Sequence, residues 1–178
     1  MRTKHLILAA LFAALTAIGA FIRIPAGLTY MTLQLFFTWM AGLLLGPKWG
    51  AASQAAYVLL GLLGLPIFTE GGGLFYVLKP SFGFLLGLPV MAYITGRLAN
   101  GACSGKRMLL ACVVSLAALY LIGLPYLYVV CNAYLGMGIS VWTAVKTGML
   151  IYLPGDALKI AAAVVLAKRL VPRLRPAG

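Results

Sequence analysis

The sequence runs to 178 residues, of which 63% are hydrophobic and only 9% charged, where a soluble domain carries about a quarter charged residues. So much apolar surface cannot hide in one soluble core of this size, and lipid must solvate most of it. Fourteen Lys and Arg stand against two acids, but these cations are scattered singly between apolar runs without interleaved aromatics, which argues against a nucleic-acid surface.

In chain order, Arg2, Lys4 and His5 precede an apolar stretch that ends in Ile18-Gly19-Ala20. This has the look of a secretory signal. Apolar segments follow to the C-terminus, however, so it is expected to be an uncleaved first helix. A span needs roughly twenty apolar residues, fewer where protein shelters the helix ends. That rule places helices near Leu6–Ile24, Thr32–Leu45, Lys48–Leu63, Ser81–Leu98, Met108–Val130 and Gly155–Leu170. Breaks fall at Arg23-Ile24-Pro25, Gly46-Pro47, Gly64-Leu65-Pro66, Asn100-Gly101 and Leu153-Pro154-Gly155, where Pro lacks a donor and Gly a Cβ. The expected fold is an all-α membrane protein of six transmembrane helices, one integral membrane domain over residues 1–178, with an outer loop at 65–80.

Charge sets the orientation. With the N-terminus in the cytoplasm, the inner loops receive Arg2, Lys4, Lys48, Arg97, Lys106, Arg107, Lys168, Arg169, Arg173 and Arg175. The outer side receives Arg23, Lys79 and Lys146, and Lys159 lies within the last helix. Cytoplasmic loops are the ones enriched in Lys and Arg, so both termini are expected inside. Glu70 and Asp156 then fall near the outer face.

The segment Leu153-Pro154-Gly155-Asp156-Ala157-Leu158-Lys159 carries the strongest chemical signal. Asp156 and Lys159 share a helix face. Asp156 lies in the first turn, where the helix dipole favours an anion, and Lys159 lies deeper, where an ammonium costs roughly 3 kcal/mol on insertion scales. The pair is either a helix cap with its own counter-ion or an acceptor and donor turned toward a ligand such as a neutral cyclic urea. Glu70-Gly71-Gly72-Gly73-Leu74-Phe75-Tyr76 reads as a flexible outer loop or as a lid, since glycine permits positive φ and close backbone approach. It lacks the Gly-Lys-Ser/Thr ending of a phosphate loop. Gln34 near the outer end of the second helix can bond a ligand or a neighbouring helix. Tyr76, Phe84, Tyr126 and Tyr128 are pocket walls or interface anchors.

Alanine recurs at four-residue spacing in the first helix, as Ala9, Ala13 and Ala17 with a parallel row of Ala10 and Ala14, and the third segment repeats the device at Ala51/Ala55 and Ala52/Ala56. Such rows let helices approach closely, either inside this chain or against another membrane subunit. Cys103, Cys112 and Cys131 have no metal-ligand spacing and read as small buried or loop residues. No metal site and no catalytic set is expected.

Taken together and in order, these segments resemble the BioY family, the biotin-specific substrate-binding (S) components of energy-coupling factor transporters. The likeness runs through Leu8-Ala9-Ala10-Leu11-Phe12-Ala13-Ala14-Leu15-Thr16-Ala17, Thr32-Leu33-Gln34, Ala41-Gly42-Leu43-Leu44-Leu45-Gly46-Pro47-Lys48 and Gly61-Leu62-Leu63-Gly64-Leu65-Pro66. It continues in Gly71-Gly72-Gly73, Pro80-Ser81 and Pro154-Gly155-Asp156-Ala157-Leu158-Lys159, and so covers nearly the whole chain. The resemblance implies biotin bound near the extracellular side by Asp156, Lys159, Gln34, Gly71, Gly72, Gly73, Tyr76 and Ser81. It implies partners too: a transmembrane coupling subunit docked on Ala9, Ala13, Ala17, Ala10 and Ala14, and two cytoplasmic ATPases that hydrolyse the ATP. The setting would be a bacterial plasma membrane, and no cofactor is implied. Departures lie at Ser81-Phe82-Gly83-Phe84, Tyr126 and Lys79, and Lys79 is placed to pair with a ligand carboxylate at the entrance.

Other readings are a different small carboxylate vitamin such as lipoate, a stand-alone secondary carrier, or an intramembrane enzyme. One His and two acids are thin material for catalysis. A carrier tends to show internal repeats and mid-membrane carboxylates, and neither is evident in the sequence.

Overall fold

The computed structural model describes residues 2–99 and 104–174 and is mostly helical. The expected break at Asn100-Gly101, Cys103 and Arg175 lie outside the described residues. Helix α1 spans Arg2–Phe21 and stops before the expected Ile24. The reason is Pro25, which disfavours a helical conformation in the residue before it. The chain turns instead into an antiparallel hairpin, β1 (Arg23–Ala26) and β2 (Thr29–Thr32), with Arg23 opposite Thr32 and Ala26 opposite Thr29. Gly27 takes φ +63 in the two-residue loop, as such tight turns require.

Helix α2 covers Gln34–Leu62, but Gly46 is non-helical (φ 82, ψ −176) and Pro47 follows it. The run folds back on itself there. Thr38 Oγ1 donates to Gln54 Oε1 at 3.0 Å, and Gln34 Nε2 to Tyr57 OH at 2.7 Å, so the arms 34–45 and 47–62 lie antiparallel. At 1.5 Å per residue each arm is shorter than the ~30 Å hydrocarbon core. Four helical stretches among the described residues are long and apolar enough to cross a membrane: Thr3–Phe21, Phe82–Ala99, Gly105–Tyr134 and Val141–Pro172.

Helix α3 (Phe82–Ala99) packs almost backbone to backbone on α2. A Cβ on Gly42 would meet Ala92 O at 2.6 Å, and one on Gly96 would meet the Gly46 carbonyl carbon at 2.5 Å. Small residues allow this closeness where lipid supplies no hydrophobic drive between helices. Helix α4 (Gly105–Val129) runs on into a π turn, Val130–Tyr134. The short α5 (Val141–Val145) continues through a second π turn, Lys146–Leu150, toward α6 (Leu153–Leu174). Helix was expected to begin only at Gly155. In fact Pro154 occupies the first turn of α6, where its missing N–H has no helical partner to lose, so it opens the helix instead of preceding it.

The core is built on Trp39, Tyr57, Leu88, Met91 and Leu119. Polar cross-links accompany it: Trp39 Nε1 donates to Ser115 Oγ at 3.1 Å, and Thr95 Oγ1 to the same oxygen at 2.8 Å. Large apolar side chains such as Leu6, Ile7, Leu110, Leu121 and Leu158 point outward, the surface a bilayer solvates.

Candidate ligand-binding cleft

Helix α6 sets Asp156, in its first turn, and Lys159, about a turn further on, one above the other, with Lys159 Nζ 2.6 Å from Asp156 Oδ1. They are 1% and 8% exposed, so each charge has left water and needs compensation. It comes from two other elements. Tyr120 of α4 donates its hydroxyl to Asp156 Oδ2 at 2.6 Å, and Lys159 Nζ donates to the carbonyl of Thr32, at the end of β2, at 3.1 Å.

A chain of bonds leads away from this floor. Thr32 Oγ1 donates to Gln34 Oε1 at 2.9 Å, Gln34 Nε2 to Tyr57 OH at 2.7 Å, and Tyr57 OH to the Ile67 carbonyl at 3.0 Å. Gln34 therefore binds the opposite arm of its own helix while still bordering the cavity.

Above lies the lid, 65–80. Gly71 and Gly73 adopt φ +113 and +97, and a Cβ on Gly72 would sit 2.1 Å from the Leu65 carbonyl oxygen. Conformation demands glycine at two positions and crowding demands it at the third. Gly73 N–H donates to Gly61 O at 2.7 Å, which ties the lid to the end of α2. The 3₁₀ turn Leu74–Leu78 then points Tyr76 inward, where Ser81 Oγ donates to its hydroxyl at 3.4 Å. Burial pushes the Tyr76 phenol above its ordinary value, so it stays neutral. Tyr126 fastens the lid from α4 by donating to the Val77 carbonyl.

Between lid, hairpin and helix ends lies a narrow cleft of roughly 70 Å³ that opens at its mouth. Asp156, Lys159, Gln34, Tyr76 and Ser81 all border it, with Phe84, Leu85, Leu88 and Leu119 as its apolar wall. Gly71, Gly72 and Gly73 do not; they shape the lid. Tyr128 packs instead with a small separate cluster around Leu127 and Cys131. Lys79 pairs with Glu70, Nζ to Oε2 3.3 Å, at the entrance.

Sequence reasoning missed Tyr120, Tyr152 and the hairpin residues Thr29, Tyr30 and Thr32, all of which line the cleft. Tyr120 was findable in principle. It is a phenol well inside a long apolar run, and a hydroxyl there needs a partner. The alanine rows separate: Ala9 and Ala13 are buried in the chain's own core, Ala17 is half-buried, and Ala10 and Ala14 face outward.

The sequence pattern that defines the BioY family matches residues 1–176. The chain belongs to the BioY family. Among its relatives, a probable biotin transporter BioY of Lysinibacillus sphaericus is 42% identical over 98% of this chain and 90% of that protein. The biotin transporter BioY of Thermotoga maritima is 34% identical over 94% of this chain and 95% of its own length. A crystal structure of the S-component for biotin from an ECF-type ABC transporter superposes with a TM-score of 0.83 at 27% identity, covering 95% of this chain and 91% of that one. That likeness of fold extends over nearly the whole chain.

Proposed function

We propose that this chain is the S component of an energy-coupling factor importer and that it captures biotin at the extracellular side of a bacterial plasma membrane. The carrying observation is the spare bonding capacity at the floor of the cleft. An ammonium has three protons. Lys159 directs one at Asp156 and one at the Thr32 carbonyl, leaving one for a ligand oxygen. Each Asp156 oxygen has one polar partner, Lys159 or Tyr120, and a carboxylate oxygen accepts about two bonds. A cyclic urea fits this set, with N–H to Asp156 and C=O to Lys159, while the apolar wall takes the thiophane ring and chain. The names of the relatives agree with that ligand.

In this reading the chain has six membrane segments, the two arms of α2 among them, and both termini are cytoplasmic. The excess of inner-loop Lys and Arg supports it. Bound biotin is delivered inward via a transmembrane coupling subunit, and two partner ATPases hydrolyse the ATP; the chain is itself no enzyme. The outward row Ala10 and Ala14, beside outward Ala52 and Ala56 on the second arm of α2, is the surface offered to the coupling subunit. Ala9 and Ala13 serve packing inside the chain.

Binding of radiolabelled biotin to the purified protein tests the ligand, with Asp156→Asn and Lys159→Ala as controls. Absence of binding by the native chain would overturn the biotin reading, and full binding by both variants would overturn the site.

A further inference from the structure

We infer that the mouth of the cleft is a second subsite, made for an amino-acid zwitterion at the end of the ligand's chain, so that the protein takes the lysine ε-amide of biotin as well as free biotin. This rests on the biotin reading above and extends it outward. The deep cleft does not end at the lid. Thr29, Tyr30 and Ser81 border both it and a second cavity of roughly 160 Å³ that reaches Glu70 and Pro80. A chain leaving the Asp156–Lys159 floor passes Tyr30 and Ser81 on its way to solvent.

Two opposite charges stand at this exit. Lys79 Nζ lies 3.3 Å from Glu70 Oε2, and Tyr30 OH donates to Glu70 Oε1 at 3.3 Å. Their side chains are 47% and 29% exposed, so both remain open to a ligand. Arg23 lies over the Tyr30 ring, 5.2 Å from its centroid, and completes the charged groups around Tyr30. The chain has only two acids, and both border the ligand path.

A bare carboxylate tail finds Lys79 attractive and the adjacent Glu70 repulsive. An α-amino acid presents an ammonium to Glu70 and a carboxylate to Lys79, so both charges are answered. An exposed ion pair of this kind is worth little, so a ligand loses little by opening it.

Calorimetric titration of the purified full-length protein tests the subsite with three ligands: biotin, its lysine ε-amide and its uncharged propylamide. The native protein is expected to bind the lysine amide within about threefold of biotin, and the propylamide more weakly than either. Glu70→Gln, which keeps an acceptor for Tyr30, is expected to weaken the lysine amide by about two- to fivefold, the range of exposed charge pairs. The same change leaves biotin unchanged or tightens it. Equal effects of Glu70→Gln on both ligands, or a lysine amide more than about 30-fold weaker than biotin, would overturn the subsite while leaving biotin capture intact. If neither ligand binds the native protein, biotin capture itself falls and the subsite with it.

Discussion

Replacing Lys159 by Met separates a structural ion pair from a ligand-binding one. In the native chain Asp156 is 1% exposed, with Lys159 at 2.6 Å and Tyr120 at 2.6 Å. Lys159→Met removes one of the two and leaves a buried carboxylate answered by a single hydroxyl. Breaking a buried pair from one side costs about 3–5 kcal/mol. For a chain of this length that lowers the unfolding midpoint by roughly 6–20 °C. The double variant Asp156→Asn/Lys159→Met removes both charges, and Tyr120 still finds an amide oxygen to donate to. Neutral replacement of a buried pair is often close to harmless, so the double variant is expected to regain most of the midpoint. Biotin binding follows a different course: it is lost in both variants, because the single variant lacks the ammonium donor and the double variant lacks the carboxylate acceptor as well. Thermal unfolding in detergent and radiolabelled biotin binding on the same preparations supply both readouts. A double variant that binds biotin within about threefold of native reduces the pair to a helix cap, and an unchanged midpoint in Lys159→Met refutes the buried-charge argument.

Tyr120→Phe removes one hydrogen bond to a charged group, worth about 1.5–3 kcal/mol; biotin affinity is expected to fall roughly 10- to 100-fold, measured by titration, with the fold retained by circular dichroism. Gly72→Ala puts a Cβ 2.1 Å from the Leu65 carbonyl oxygen, so the lid must move off α2; a faster biotin dissociation rate in a chase experiment is expected. Gly46→Ala places a Cβ at φ 82, ψ −176, a region open essentially to glycine alone that costs about 1–3 kcal/mol, and a lower unfolding midpoint with near-native biotin affinity is expected. Single cysteines at Ser140 and Lys168, in a background without Cys103, Cys112 and Cys131, test orientation: a membrane-impermeant thiol reagent on intact cells is expected to label the first and not the second.

The long apolar runs made the spanning helices legible, because lipid leaves the backbone few alternatives to helix. Gly46-Pro47 was legible as a break for the same local reason that makes it a fold-back, a positive φ followed by a residue without N–H. Asp156 and Lys159 stood out because charge inside an apolar helix is costly. Local signals failed where tertiary contacts decide. Arg23-Ile24-Pro25 suggested a stop but not the strand pairing of Arg23–Ala26 with Thr29–Thr32, which depends on the partner strand. The helical stretch from Val141 was hidden because Pro154 and Gly155 look like a terminator, yet Pro at a first turn begins a helix as readily as it ends one. Tyr120 is 36 residues from Asp156, and no spacing rule links the two. The alanine rows could not be split from sequence, since which face turns inward is settled by the neighbouring helix.

The parts that sequence patterns describe least well are those that build the cleft, and there is a physical reason. Non-helical backbone at membrane depth survives only where protein or a water-filled cavity satisfies its polar groups. The hairpin, the lid and the π turn at Lys146–Leu150 meet at one end of the bundle and supply such a shelter for each other. Tyr152, just beyond that π turn, shares a bond with Thr29 at 2.8 Å and donates to the Ala26 carbonyl, and Tyr30 of the same hairpin donates to Glu70 of the lid. Irregular backbone at this end is thus a condition for having a polar pocket there. A regular helical bundle would bury Asp156 and Lys159 against side chains alone, with no Thr32 carbonyl to hold the ammonium. Shortening the hairpin should therefore harm the floor of the cleft as well as its cover. Deletion of Gly27 and Leu28 is expected to lower biotin affinity about as much as Tyr120→Phe does, and native affinity in that deletion would show that the Thr32 carbonyl has no part in the site.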